Sequence, residues 1–238
     1  MRARTAAAVA VLAVAGLAAW ALKAFYSGAT AADLRFVLTP TTALVELAGG
    51  YRFDWTSGGY LSTELRFVIA PACAGVNFLI VAFGSLVLAF VRPSRSPGGN
   101  AAILAASAAA AYAATILANA ARILVAIPLW THDVGFAGLD GDRLHELSGV
   151  VVFLGVLVLL HLAAHRLARS PVRLGAALAC YAGVMILAPL LRGAGANPAF
   201  AAHVAIAGGA VLVVGLAAWR WPLRGPLNGA RACARRAR

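Results

Sequence analysis

Charge is scarce in this chain. Only 12% of its 238 residues are Asp, Glu, Lys or Arg, and just eight are acidic, whereas roughly a quarter of a typical soluble domain is charged. Hydrophobic residues make up 62%, against roughly half in typical globular proteins, so a water-soluble domain is excluded. Cysteine is rarer still. Cys73, Cys180 and Cys233 are scattered and supply neither a disulfide framework nor a CxxC pair for metal or redox work. A quinone-linked thiol oxidoreductase is thereby excluded, and no metal or cofactor is expected. A serine protease built on Gly-x-Ser-Gly is excluded too, because Gly84-Ser85 lacks that pattern. No internal repeat is apparent.

What the chain has instead is long apolar runs. About 18 such residues suffice to cross the hydrocarbon core as a helix. Six Ala/Val/Leu-rich runs qualify: residues 5–22, 67–91, 101–130, 147–164, 174–191 and 201–219. The fold class is therefore all-α, a polytopic membrane helical bundle forming one transmembrane domain over residues 1–238. Arg2 and Arg4 followed by Ala19-Trp20-Ala21 resemble a signal peptide with a cleavage site. The run is longer than a signal h-region of about 7–15 residues, so a retained helix is expected.

The net charge of +12 does not point to nucleic acid, because the charges lie in short segments between apolar stretches. With the N-terminus in the cytoplasm, the inner segments hold thirteen basic residues and no acid. All eight acids (Asp33, Glu46, Asp54, Glu64, Asp133, Asp140, Asp142 and Glu146) then fall outside, with six basic residues. Such a Lys/Arg bias sets topology, and both termini are expected to be cytoplasmic. The basic tail, residues 220–238, is expected to lie against anionic inner-leaflet lipid. The one long connection, residues 23–66, has Tyr51, Phe53, Trp55 and Tyr60 among Gly and Ser, and has room to fold back onto the membrane surface.

An ionisable residue inside a span costs about 2.5–3.5 kcal/mol on insertion scales and is a functional candidate by default. Arg122 is the clear case, with Asn119 three residues earlier on the same helix face, where its amide could orient the guanidinium. With every acid assigned to an outer loop, no interior salt bridge for Arg122 is evident. The second span opens with Pro71-Ala72-Cys73. Proline suits a first helical turn, which sets Cys73 near a helix N-terminus, where the dipole favours an anion. Asn77 follows at i+4. A lone cysteine in a span is more often inert packing, but depth argues otherwise. Cys73 is roughly 9 Å inside its span and Arg122 roughly 12 Å from the outer end of the third, at 1.5 Å per residue. His145 opens the fourth span, so three consecutive helices bring Cys, Arg and His to one outer layer. His161 and His165 read as packing or snorkelling near the inner end, His203 merely opens the sixth span, and His132 has no partner pattern. The three thiols occupy different layers, and no disulfide is expected.

At Pro71-Ala72-Cys73-Ala74-Gly75-Val76-Asn77-Phe78, Asn119-Ala-Ala-Arg122, and His145 with Ser148-Gly149, the chain resembles the exosortase/archaeosortase family of membrane cysteine transpeptidases. Residues 39–149 look like its core, and the short exosortase K type is the most similar, with no further periplasmic domain expected after the last span. The resemblance implies cleavage of a C-terminal sorting signal (a short motif, a transmembrane helix and a basic cluster) from exported proteins, and acyl transfer to an acceptor. It implies Cys73 as nucleophile, His145 as general acid/base and Arg122 as electrostatic partner, with Asn77 and Asn119 supporting or binding substrate. These residue types suit that chemistry. A thiolate gives a thioester, an imidazolium protonates the leaving amine, and a guanidinium stabilises the oxyanion by about 3 kcal/mol. The competing reading is a small transporter or assembly subunit whose Arg122 binds an anionic group. It would be marked by helices broken at mid-membrane, whereas Pro128 and Pro189 lie near span ends.

Overall fold

In lipid, a segment must satisfy its backbone polar groups internally, so apolar runs of this length form helices. The structure, a computed structural model, describes residues 2–92, 96–132, 141–168 and 174–220. In chain order it has α1 (Arg2–Tyr26), α2 (Arg35–Gly49), β1 (Asp54–Thr56), β2 (Gly59–Ser62), β3 (Phe67–Ile69), a 3-10 turn (Pro71–Cys73), α3 (Val76–Phe90) and α4 (Pro97–Thr131). Then follow α5 (Gly141–Ala168), α6 (Leu174–Ala182), a π-helical segment (Gly183–Leu187), α7 (Ala188–Leu191), a second 3-10 turn (Ala194–Ala196) and α8 (Pro198–Arg220). Among the described residues, six spans are long and apolar enough to cross a membrane: Thr5–Tyr26, Pro71–Phe90, Pro97–Thr131, Arg143–Leu167, Leu174–Leu191 and Phe200–Ala217. This is a multi-pass membrane bundle. The basic tail beyond residue 220, with Cys233, lies outside the described residues, as do Arg95, Asp133, Asp140, Arg169 and Arg173.

Three features depart from the sequence reading. The apolar run starting at residue 67 is not helical at first: Phe67–Ile69 is a strand, paired antiparallel through Tyr60↔Ile69 and Leu61↔Val68. A short apolar run reads alike in either state. Ala70 is extended (φ −85°, ψ 171°), as a residue before proline prefers to be, so helix cannot begin before Pro71. Secondly, the long connection contains a helix and most of the β1-β2-β3 sheet, and both pack against the bundle. In α2 the buried residues Val37, Leu38, Thr41, Thr42 and Val45 form one helical face. Thirdly, α5 begins at Gly141 and its candidate span at Arg143, so Glu146 is helical rather than in a loop.

Helix α2 runs beside α4 in the same direction, with Phe36 meeting Tyr112 and Gly49 lying against Leu124. Pro40 sits inside α2 and has no N–H to donate to the Phe36 carbonyl one turn back. The Tyr112 hydroxyl of α4 donates to that carbonyl instead. Ahead of α2, the Thr30 hydroxyl and backbone N–H both donate to Asp33 and hold its carboxyl below the usual range.

The hydrophobic drive between helices is lost in lipid, so small residues that allow close approach matter more. The buried stripe of α4 includes Ser107, Ala111, Ala114, Thr115 and Ala118, and α3 packs on it. At the far end of this pair, the fully buried Asn100 amide accepts from the Arg92 N–H (3.3 Å) and donates to the Arg92 carbonyl (3.1 Å). Ser96 caps α4 by accepting from the Gly99 N–H, with Pro97 in the first turn. The site end of the bundle therefore gathers the end of α1, the start of α3, the end of α4, the start of α5, the end of the α6–α7 span and the start of α8.

Candidate active site

Arg122 and His145 touch. The Arg122 Nη2 lies 3.0 Å from His145 Nε2, which joins α4 to α5. A guanidinium has only donors, so His145 Nε2 accepts and its neutral ring carries the proton on Nδ1. This contact exists because Gly149, one turn beyond His145, has no side chain: a Cβ there would come within 2.9 Å of Arg122 Nε. The guanidinium also lies 5.7 Å from the centre of the Phe153 ring, on which Phe78 stacks. The Ser148 hydroxyl donates to the His145 carbonyl (2.8 Å).

Cys73 closes the 3-10 turn, half-buried and outside any disulfide. It precedes α3 rather than lying within it, because Gly75 takes a left-handed conformation (φ +69°) at the helix N-cap. Cys73 and Asn77 are thus not one turn apart on a single helix. Asn119 does not face the guanidinium. Its side-chain amide donates across the structure to the Cys73 carbonyl, and its buried Oδ1 has no hydrogen-bond partner among the described residues. One face of α4 therefore anchors the cysteine turn through Asn119 and presents Arg122 one turn later. Asn77 Oδ1 accepts from Lys23 Nζ at 2.6 Å, and Tyr26 donates to the Pro71 carbonyl at 3.4 Å. Tyr26 is within electrostatic range of both Cys73 and Arg122. The end of α1 is part of the site.

Two residues set aside by sequence reasoning also belong here. Glu146 Oε1 lies 2.6 Å from His203 Nδ1, and both line a cavity of about 160 Å³ together with Arg122, Tyr26, Asn77 and Tyr181. Glu146 escaped notice because it was assigned to a loop, and His203 because its partner lies in a distant segment. Comparing their depths, as for Cys73 and Arg122, would have found them. His161, by contrast, is buried away from this site, in a small cleft with Ser85 and Leu157.

No curated protein and no solved structure matches the chain. Residues 53–162, from the sheet through most of α5, match the family model of transmembrane exosortase. That stretch, a little under half of the chain, contains Cys73, Asn119, Arg122 and His145 and is similar to transmembrane exosortase, which supports a membrane protease or transpeptidase role.

Proposed function

We propose that this protein is a membrane cysteine transpeptidase that cleaves the C-terminal sorting signal of exported proteins through a thioester on Cys73 and passes the acyl group to an acceptor. The observation that carries the reading is the direct Arg122–His145 contact, one helical turn from the Asn119 that grips the Cys73 main chain. In this mechanism a substrate carbonyl enters beside Arg122, and the guanidinium shifts its hydrogen bond from His145 Nε2 to the developing oxyanion. The freed Nε2 takes the thiol proton as sulfur attacks, then delivers it to the leaving amine. The substrate's own transmembrane helix brings the scissile bond to this depth, and its basic cluster stays with the inner-face arginines.

The same reading sets the active site on the outer side of a bacterial inner membrane with both termini cytoplasmic, and takes the exosortase K type as the nearest subtype. A transporter is the weaker reading. The fifth span does contain a π segment, Gly183–Leu187, whose Met185 lines the cavity, but helix continues on either side of it.

In cells, Cys73→Ala should accumulate an exported protein that keeps its C-terminal helix, detected by mass spectrometry of its C-terminus, while the enzyme stays in the membrane. Normal processing in that variant would reject the nucleophile assignment. An impermeant maleimide added outside should reach Cys73 and not Cys233; labelling of Cys233 in intact cells would reverse the topology.

A further inference from the structure

We infer that His203, oriented by Glu146, is the general base of the second half-reaction, taking the proton from the nucleophile that resolves the acyl-enzyme on Cys73. The inference rests on the thioester reading above and adds to it a residue from α8, outside the family-matched stretch of residues 53–162.

The two histidines at this end of the bundle have opposite proton arrangements. His145 accepts from a guanidinium at Nε2, so that lone pair is occupied until Arg122 moves. His203 instead presents Nδ1 to a carboxylate at 2.6 Å. An ionised carboxylate only accepts, so Nδ1 carries the proton and the neutral ring keeps its lone pair on Nε2. A carboxylate behind the other ring nitrogen fixes the tautomer and stabilises the imidazolium that forms when the ring takes a proton. That is the arrangement a general base requires.

Position supports the same role. Glu146 is next to His145 on α5, yet it pairs towards α8, and the cavity that it lines with His203 is lined also by Arg122, the partner of His145, and by Ala72, the neighbour of Cys73. His203 and Glu146 line the cavity that also exposes Arg122, and their side chains remain 24% and 32% accessible. A hydrogen bond that only tied α5 to α8 would have no need of an opening. At about 160 Å³ the cavity has room for a water or a small amine, since one water occupies roughly 30 Å³ of liquid. Tyr181 lines it too, is 1% exposed, and has a hydroxyl with no hydrogen-bond partner among the described residues. A buried hydroxyl left without a partner is costly, and it is a ready contact for a polar acceptor.

The step balances without an added reagent. The acceptor, water or a primary amine, attacks the thioester carbon as its proton passes to His203 Nε2, and Arg122 holds the oxyanion. The tetrahedral intermediate collapses, the carbon–sulfur bond breaks, and the sulfur leaves with its electron pair. The imidazolium then returns a proton to the Cys73 thiolate. His145 serves acylation and His203 deacylation.

Burst kinetics on the full chain in detergent micelles separate the two halves, with p-nitrophenyl decanoate as acyl donor. Wild type should release one nitrophenolate per chain in a burst, then turn over slowly. His203→Gln should keep the burst and lose about 100-fold in the slow phase, as removal of a general base does. Its decanoyl adduct on Cys73 should accumulate by intact mass. Hydroxylamine, which attacks without a base, should restore turnover. Glu146→Gln should slow the same phase and displace the acid limb of its pH–rate profile. Slow-phase turnover at the wild-type rate in His203→Gln would overturn the inference, as would a burst that falls in step with turnover in both His203→Gln and His203→Asn. A wild type without a burst, or one whose burst survives Cys73→Ala, would instead overturn the thioester reading and this inference with it.

Discussion

The second and sixth spans are nearly alike in length and apolar content, yet they occupy opposite environments. Within its most apolar window, 61% of Pro71–Phe90 is buried, against 6% of Phe200–Ala217. Hydropathy reports that a helix belongs in a membrane, not whether its neighbours are protein or lipid. What separates the two is packing: α3 lies on the small-residue stripe of α4 and is locked at both ends, by Asn119 on the Cys73 turn and by Asn100 on Arg92. Helix α8 packs on the core only through a half-buried stripe around Ala207 and contributes to the cavity through His203, near its start.

Substitutions should reproduce this contrast, strongest first. Arg122→Ala should abolish acylation of Cys73, a loss of at least about 100-fold from the missing oxyanion donor alone, with the enzyme still in the membrane; burst amplitude is the measurement. Gly149→Ala should follow, because a Cβ within 2.9 Å of Arg122 Nε pushes the guanidinium aside, and a misplacement of about 1 Å can cost about 100-fold in rate. Its unfolding midpoint in mixed micelles should barely move, which distinguishes a displaced group from a damaged fold. Gly75→Ala combines a left-handed backbone with a Cβ only 3.3 Å from the Asn119 side chain. It should destabilise by about 1–2 kcal/mol and slow acylation as well. Asn100→Ala removes two hydrogen bonds to the part-buried Arg92 main chain and should cost about 1–3 kcal/mol in the same unfolding assay, without a specific kinetic defect. Leu212→Ala, on the lipid-facing side of α8 at 62% exposed, should stay within about 0.5 kcal/mol of wild type. If Leu212→Ala proved as damaging as Asn100→Ala, the contrast between core and peripheral spans would fail.

The sequence made the spans legible because lipid leaves few choices for a long apolar run. Arg122 was legible for the same reason: a guanidinium inside such a run is costly enough to need a purpose. Other features were hidden by what a linear reading counts. Asn119 was matched to Arg122 because both lie on one helix face, while its actual partner is the Cys73 carbonyl, 46 residues away. Helix α2 and the small sheet have ordinary composition, and β3 merged into the apolar run that follows it. Glu146 and His203 are 57 residues apart, and each looks unremarkable until α5 and α8 are set side by side.

Pro40 has a consequence that reaches beyond α2. By withholding one amide proton it leaves the Phe36 oxygen available to a different helix, and Tyr112 uses it as a mooring. Helix α2 is consequently fastened partway down the longest helix of the bundle, and not only at its rim. Anything that tilts α4 would carry α2 along with it, so movement of α2 and alignment of Arg122 become one mechanical event.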